Sequence, residues 1–225
     1  MNNKLIALAL AGLMTVSMTG CGSSGSGSSA GTSAGSSAAA SSASSSVTSS
    51  SASASGSQST ESVALSEAFA EGPVLVSSAG QSADVEMVNV LLGKAGVTAT
   101  VDNTVDGSDL GDYKTLVLAV GGSSKGLGAA GVDADTEIAR VESLTKAADE
   151  AGLSIIAVHV GGSARRGDLS DRFIAPSFAY ADYAVVVEAG DEDGMMAGLA
   201  NEAGIPFAYA ESMATVVEPL QAAFK

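Results

Sequence analysis

Three short stretches gather much of the cationic and hydrogen-bonding chemistry of this chain. They read Ser77-Ser78-Ala79-Gly80-Gln81-Ser82-Ala83-Asp84, Gly121-Gly122-Ser123-Ser124-Lys125-Gly126-Leu127-Gly128-Ala129-Ala130-Gly131 and Gly161-Gly162-Ser163-Ala164-Arg165-Arg166-Gly167-Asp168. Each follows an apolar, β-branched run and leads towards a helical pattern, so free backbone N–H groups and the positive end of a helix dipole fall in one place. Glycine there permits close approach of the backbone, and serine can cap a helix or orient a ligand. The same region holds Lys125, Arg165, Arg166 and Arg172, in a chain with only 10 Lys and Arg. The combination suits a small polar or anionic ligand. Backbone amides, Lys125, Arg165 and Arg166 would hold it, while Ser78, Gln81, Ser82, Ser123 and Ser124 orient it and Gly80, Gly121, Gly122, Gly161 and Gly162 open the loops. A competing reading of the same residues is purely structural: glycines turn the chain, serines cap helices, and the cations pair with Asp133, Asp168 or Asp171.

Other chemistry is thinner. His159 is the one histidine and ends an apolar run; with Ser123, Ser124 or Ser163 it would make the minimum nucleophile and base pair, but no GxSxG elbow is present and a structural role competes. Gly126-Leu127-Gly128-Ala129-Ala130-Gly131 spells the GxGxxG dinucleotide fingerprint. It begins five residues beyond the strand, the helix is expected to start only near Asp133, and the next strand ends in His159-Val160-Gly161 without an acid for ribose, so no cofactor is expected. Lys125 precedes Gly126, the wrong order for a phosphate-gripping Walker loop. Asp133-x-Asp135-x-Glu137 lacks the glycine and distant glutamate of a calcium loop, and Asp84, Asp135 and Asp168 read as first-turn helix acids, so no metal is expected. Arg166-Gly167-Asp168 reads as turn and cap.

The elements that must position these loops are legible. Short apolar runs at Pro73 to Ser77, Val97 to Val101, Thr115 to Val120, Ser154 to Val160, Tyr183 to Glu188 and Pro206 to Tyr209 read as strands covered on both faces. Between them, Val85, Val88, Leu91, Leu92 and Ala95 share a helical face before Gly96. Ile138, Val141, Leu144, Ala148 and Ala151 do so before Gly152, and Met195, Met196, Leu199 and Ala203 before Gly204, with the methionines expected in the core. A last helix is expected over Ser212 to Phe224. Alternation of this kind predicts a single doubly wound, mostly parallel three-layer α/β sheet of the flavodoxin or Rossmann-like kind. Its ligands would bind beyond the carboxyl ends of the strands. Asp102 to Lys114, rich in Asp and Gly, is barely long enough for a crossover.

Before this domain, expected over 72–225, lie two segments of different composition. Leu5 to Val16 is apolar and too short to span a bilayer core of roughly 30 Å, as befits a removable signal peptide over 1–20. Met18-Thr19-Gly20-Cys21 places the single cysteine after small residues, the pattern at which a bacterial lipoprotein is cleaved and lipidated. From Gly22 to about Thr60 the chain is nearly all Ser, Ala and Gly, which cannot offset the entropy of ordering and predicts a disordered tether over 21–71. Its root-mean-square reach would be roughly 35 Å. The expected location is the outer face of the cell membrane, held by lipid on Cys21. Cleavage would remove Lys4 and no acid, leaving 9 cationic against 25 acidic side chains. Such a surface argues against nucleic acid and against electrostatic docking on anionic lipid.

Ser78-Ala79-Gly80-Gln81-Ser82, the GGSSKGLGAAG run from Gly121 and the GGSARRGDLSD run from Gly161 closely resemble an uncharacterised bacterial family known as domain of unknown function family 6305. The resemblance implies an exported or lipid-anchored α/β domain and carries no activity. The leading expectation is a lipoprotein binding module that presents its ligand to a transporter or sensor. An extracellular hydrolase or transferase using His159 and a loop serine is the second reading, and a structural or protein-interaction component of the envelope the third.

Overall fold

The computed structural model describes residues 65–225; the signal segment, Cys21 and the tether up to Ala64 lie outside the described residues. Six strands, β1 (Val74–Ala79), β2 (Ala99–Val101), β3 (Thr115–Val120), β4 (Ser154–His159), β5 (Tyr183–Val187) and β6 (Phe207–Ala210), form one sheet in the order β2-β1-β3-β4-β5-β6. Every pairing is parallel. Seven helices accompany them: α1 (Asp84–Lys94), α2 (Ser124–Ala130), α3 (Ala134–Glu150), α4 (Asp168–Asp171), α5 (Ile174–Phe178), α6 (Met195–Ala203) and α7 (Val217–Ala223).

Alternation along the strands divides the core. Val74, Val76, Val117, Ala119, Ile156 and Val158 face one side with α1 and α7, while Leu75, Leu116, Leu118, Ile155, Ala157 and Val186 face the other with α3, α5 and α6. Side chains buried on both faces make the near-continuous apolar strands seen in the sequence, each large one contributing about 1.5–3 kcal/mol. Gly96, Gly152 and Gly204 all have positive φ just past α1, α3 and α6, the left-handed stop that a side chain disfavours.

Three features depart from the expectation. The segment after β3 enters a helix at Ser124, not near Asp133, because Ser123 caps it by accepting a hydrogen bond from the Gly126 amide at 3.1 Å. Most of the GxGxxG run therefore lies inside α2, with Gly131 as its left-handed cap, and is not a strand-to-helix turn. The expected last helix is a 3-10 turn, Met213–Val216, continuing into α7. The connection from β2 to β3 crosses without any helix: Val105, Leu110 and Tyr113 join the core, and Ser143 on α3 donates to the Asp106 carbonyl at 2.9 Å. Packing also reaches N-terminal to Gly72, where Ala70 is fully buried and pairs with Phe224.

Among the described residues no helix is long and apolar enough to cross a membrane.

Candidate functional site

The strand order reverses between β1 and β3, and the three Gly/Ser stretches meet at the carboxyl ends of β1, β3 and β4, where such sheets bind ligands. The first two are joined by backbone: the Gly121 amide donates to Ala79 O at 3.0 Å, the Ser123 amide to Gly80 O at 2.9 Å, and Gln81 bridges Gly122. Gly80 has φ +106°, and a Cβ there would fall 2.6 Å from Gly121 O. A Cβ on Gly126 would fall 1.7 Å from Gln81 O, which seats the first turn of α2 on the β1 loop. These glycines serve loop-on-loop packing.

Several loop amides that the sequence offers to an anion are taken by the protein itself. Gly80 N–H donates to Glu137 Oε1 at 3.0 Å, Ser82 N–H to Ser78 Oγ at 3.0 Å, and Gly122 N–H to Ser170 Oγ at 3.2 Å. Ser82 Oγ in turn accepts from the Asp84 amide at 3.3 Å. Glu137, on α3 and 1 % exposed, acts as a built-in anion above β1. Its carboxylate accepts from Gln81 Nε2 at 3.1 Å and is gripped by Arg140 through Nε at 2.9 Å and Nη2 at 2.7 Å. Arg140 also donates to the carbonyls of Val105, at 2.6 Å, and Ser78. The motifs of the sequence do not single out Arg140, and they place Glu137 only in an acidic run that lacks the other marks of a calcium loop. The available signal was that Glu137 falls in the same helical seam as Val141, Leu144 and Ala148, where a charge needs a buried partner.

The predicted cations separate. Arg165 Nε donates to Asp84 Oδ2 at 2.7 Å, and its aliphatic stem lies over the ends of β3 and β4. A Cβ on Gly161 would sit 1.9 Å from Arg165 Cγ, and one on Gly121 3.3 Å from its Cδ. Its side chain is 30 % exposed, and its two terminal nitrogens have no partner among the described residues. Lys125, in the first turn of α2, is exposed and makes no ion pair with a described residue, and Ser124 beside it is exposed.

Arg166 points elsewhere. It binds Asp171 at 2.8 Å, Asp193 at 2.8 Å and the Gly190 carbonyl at 2.6 Å, tying α4 to the turn before α6. Its hydrogen bond holds the Asp193 carboxyl down at about 2, and the two acids raise Arg166 above the usual arginine value. Arg172 pairs with Asp135. Gly162, buried with φ +55°, opens the short 3-10 turn Gly162–Arg165 that carries Arg165.

His159 ends β4 and is 1 % exposed. Its Nε2 lies 3.2 Å from Arg165 O, its Nδ1 has no partner among the described residues, and the ring packs so tightly on Gly190 that a Cβ there would meet it at 2.5 Å. Burial pushes its pKa below the usual histidine value, and Arg166 adds to the shift. No serine hydrogen-bonds it among the described residues, so Ser123, Ser124 and Ser163 are not paired with the base. No three metal-ligating side chains cluster among the described residues.

The chain matches no curated protein and no solved structure. Residues 71–224, which take in every strand of the sheet and all the loops at its carboxyl edge, match the family model of the domain of unknown function DUF6305, and the chain belongs to that family.

Proposed function

We propose that this chain is a membrane-anchored, extracytoplasmic lipoprotein whose α/β domain binds a small anionic ligand, carboxylate- or oxyanion-bearing, at the carboxyl edge of the sheet. The anchoring half of this reading rests on the sequence, in which Cys21 follows an export segment and precedes a long Ser/Ala/Gly stretch. The observation that carries the binding half is Arg165. Two glycines clear a path for its stem, Asp84 fixes its Nε, and its Nη1 and Nη2 edge has no partner among the described residues at the switch point. A guanidinium held in one orientation offers two parallel N–H donors, the geometry that recognises a carboxylate or phosphate in bidentate fashion. Lys125 and Ser124 add exposed donors along the same edge, where the first turn of α2 rests on Gln81.

Three of the loop amides already donate within the protein, to Glu137, Ser78 and Ser170, which leaves fewer of them for a ligand. Recognition would therefore rest chiefly on side chains, Arg165 first. The pairing of His159 with Arg165 O, and with no serine, favours binding over hydrolysis.

Thermal unfolding of the full chain against small carboxylates, phosphates and sugar acids tests the reading. A compound at a hundred times its dissociation constant adds about 2.7 kcal/mol, or roughly 5–10 °C. A rise of that size, absent in Arg165→Ala, is the expected result. A well-folded chain whose unfolding temperature moves with no compound, or moves equally in Arg165→Ala, would contradict it.

A further inference from the structure

The sheet ends at β6, and no strand among the described residues pairs with its outer edge. The Ala184 amide donates to Pro206 O, so by the alternation of a parallel ladder the N–H and C=O groups of Phe207 and Tyr209 point away from β5. Their amides take no partner among the described residues, and they repeat about every 7 Å, the two-residue spacing of a strand. Proteins ordinarily blunt such an edge with lysine, proline or a bulge. β6 is short, at four residues, but none of them is lysine or proline, and Pro206 just before it faces β5, so the outward groups of Phe207 and Tyr209 stay open.

Beside this edge runs a groove of about 540 Å³ between β6 and α7, with Leu65, Tyr183, Tyr209 and Pro219 among its walls. Its rim carries Glu211 and Glu218, neither of which has a partner among the described residues. The Tyr209 hydroxyl donates to the buried Asp191 at 2.9 Å on the other, α6 face of the sheet, so the charge of the groove's rim is that of Glu211 and Glu218. Main-chain groups, an apolar wall and an acidic rim specify an occupant by backbone, by shape and by charge. A second copy of this chain does not fit, because pairing two β6 edges would bring both sets of acids together, and like charges across a strand pair are destabilising.

We propose that the free edge of β6 takes an extended, cationic segment of a partner protein as a seventh strand, with alternate apolar side chains in the β6–α7 groove and Lys or Arg beside Glu211 and Glu218. Main-chain bonding supplies affinity in this mode and the side-chain pockets supply selectivity. The surface is separate from the Arg165 edge, so it stands whether or not that edge binds an anion.

The probe is a fluorescent eight-residue peptide of alternating Lys and Val, added to the full chain and read by anisotropy. The controls are the Glu-Val analogue and a Lys-Val peptide N-methylated at every second residue. Expected are saturable binding of Lys-Val, slowed hydrogen exchange of the Phe207 and Tyr209 amides, loss of binding on N-methylation, and roughly tenfold or more weaker binding in Glu211→Lys/Glu218→Lys, whose changes lie on the rim. Absence of binding, equal binding of the Glu-Val or N-methylated peptide, or a dimer at sedimentation equilibrium that competes with the peptide overturns the proposal.

Discussion

The guanidinium of Arg140 grips the carboxylate of Glu137 through two nitrogens, one turn apart on α3, and the pair sits where the first loop of a doubly wound sheet would receive a ligand's negative charge. Taking away one partner strands the other, together with the Gly80 amide. Glu137→Ala is therefore expected to cost about 3–5 kcal/mol, and Glu137→Leu/Arg140→Leu much less, because the double change leaves no buried charge. Urea unfolding checks this; a loss in Glu137→Ala no larger than in the double variant would show that the stranded Arg140 charge is not the source of the cost.

Gly126 lies inside α2, where alanine ordinarily stabilises a helix by about 0.5–1 kcal/mol. Here the sign should reverse, since the added Cβ would meet the Gln81 carbonyl at 1.7 Å and two backbones would have to part. Gly126→Ala is expected to lose about 1–3 kcal/mol by thermal unfolding. A gain in stability would mean that the α2 and β1 loops do not touch.

Arg165 and Arg166 are neighbours in sequence with opposite assignments. Arg166→Ala should lower stability by about 1 kcal/mol, since it leaves Gly190 O, Asp171 and Asp193 without their donor in a partly solvated network, and should leave any anion-induced shift intact. Arg165→Ala should abolish that shift and should also lower stability, since it leaves the largely buried Asp84 without its cation. Parallel melting curves of the two variants, with and without the best anion from the panel, separate them.

His159 is held neutral by burial, so its folded pKa lies below the ordinary 6.5. Below pH 6.5 the unfolded chain binds a proton that the folded chain refuses, and stability falls as pH drops towards the folded value. The slope of stability against pH between about 6.5 and 5 should be steeper in the native chain than in His159→Gln. Asp193, held at about 2, works in a lower window: its contribution is present above the unfolded value of 3.8 and disappears as pH falls through 2. Equal slopes in the two chains would remove His159 as a source.

Cys21→Ser should release the chain from the membrane fraction and abolish incorporation of labelled palmitate, because stable anchoring takes acyl chains that only the thiol accepts. Retention of the variant in membranes would assign the anchor to something else.

The four inner strands are legible as apolar runs buried on both faces, the edge strands β2 and β6 less so because they are partly exposed, and the helix stops at Gly96, Gly152 and Gly204 are legible beside them. Burial on both faces and a left-handed turn each leave a mark within a few consecutive residues. The start of α2 was not, since its cap is a serine among serines and its interior carries two glycines.

By itself, then, the sequence determined the parallel three-layer class, the strand positions, and the meeting of three Gly/Ser loops at one edge, because hydrophobic periodicity is a local property. It also determined the export and lipidation expectation, which depends on consecutive residues alone. Tertiary structure decided what those loops do. Asp84 and Arg165 meet across 81 positions, and Gly80 and Glu137 across 57. Which cation is neutralised, which amide is already satisfied and which strand edge stays open depend on side chains brought together by the fold, and no spacing along the chain encodes that choice.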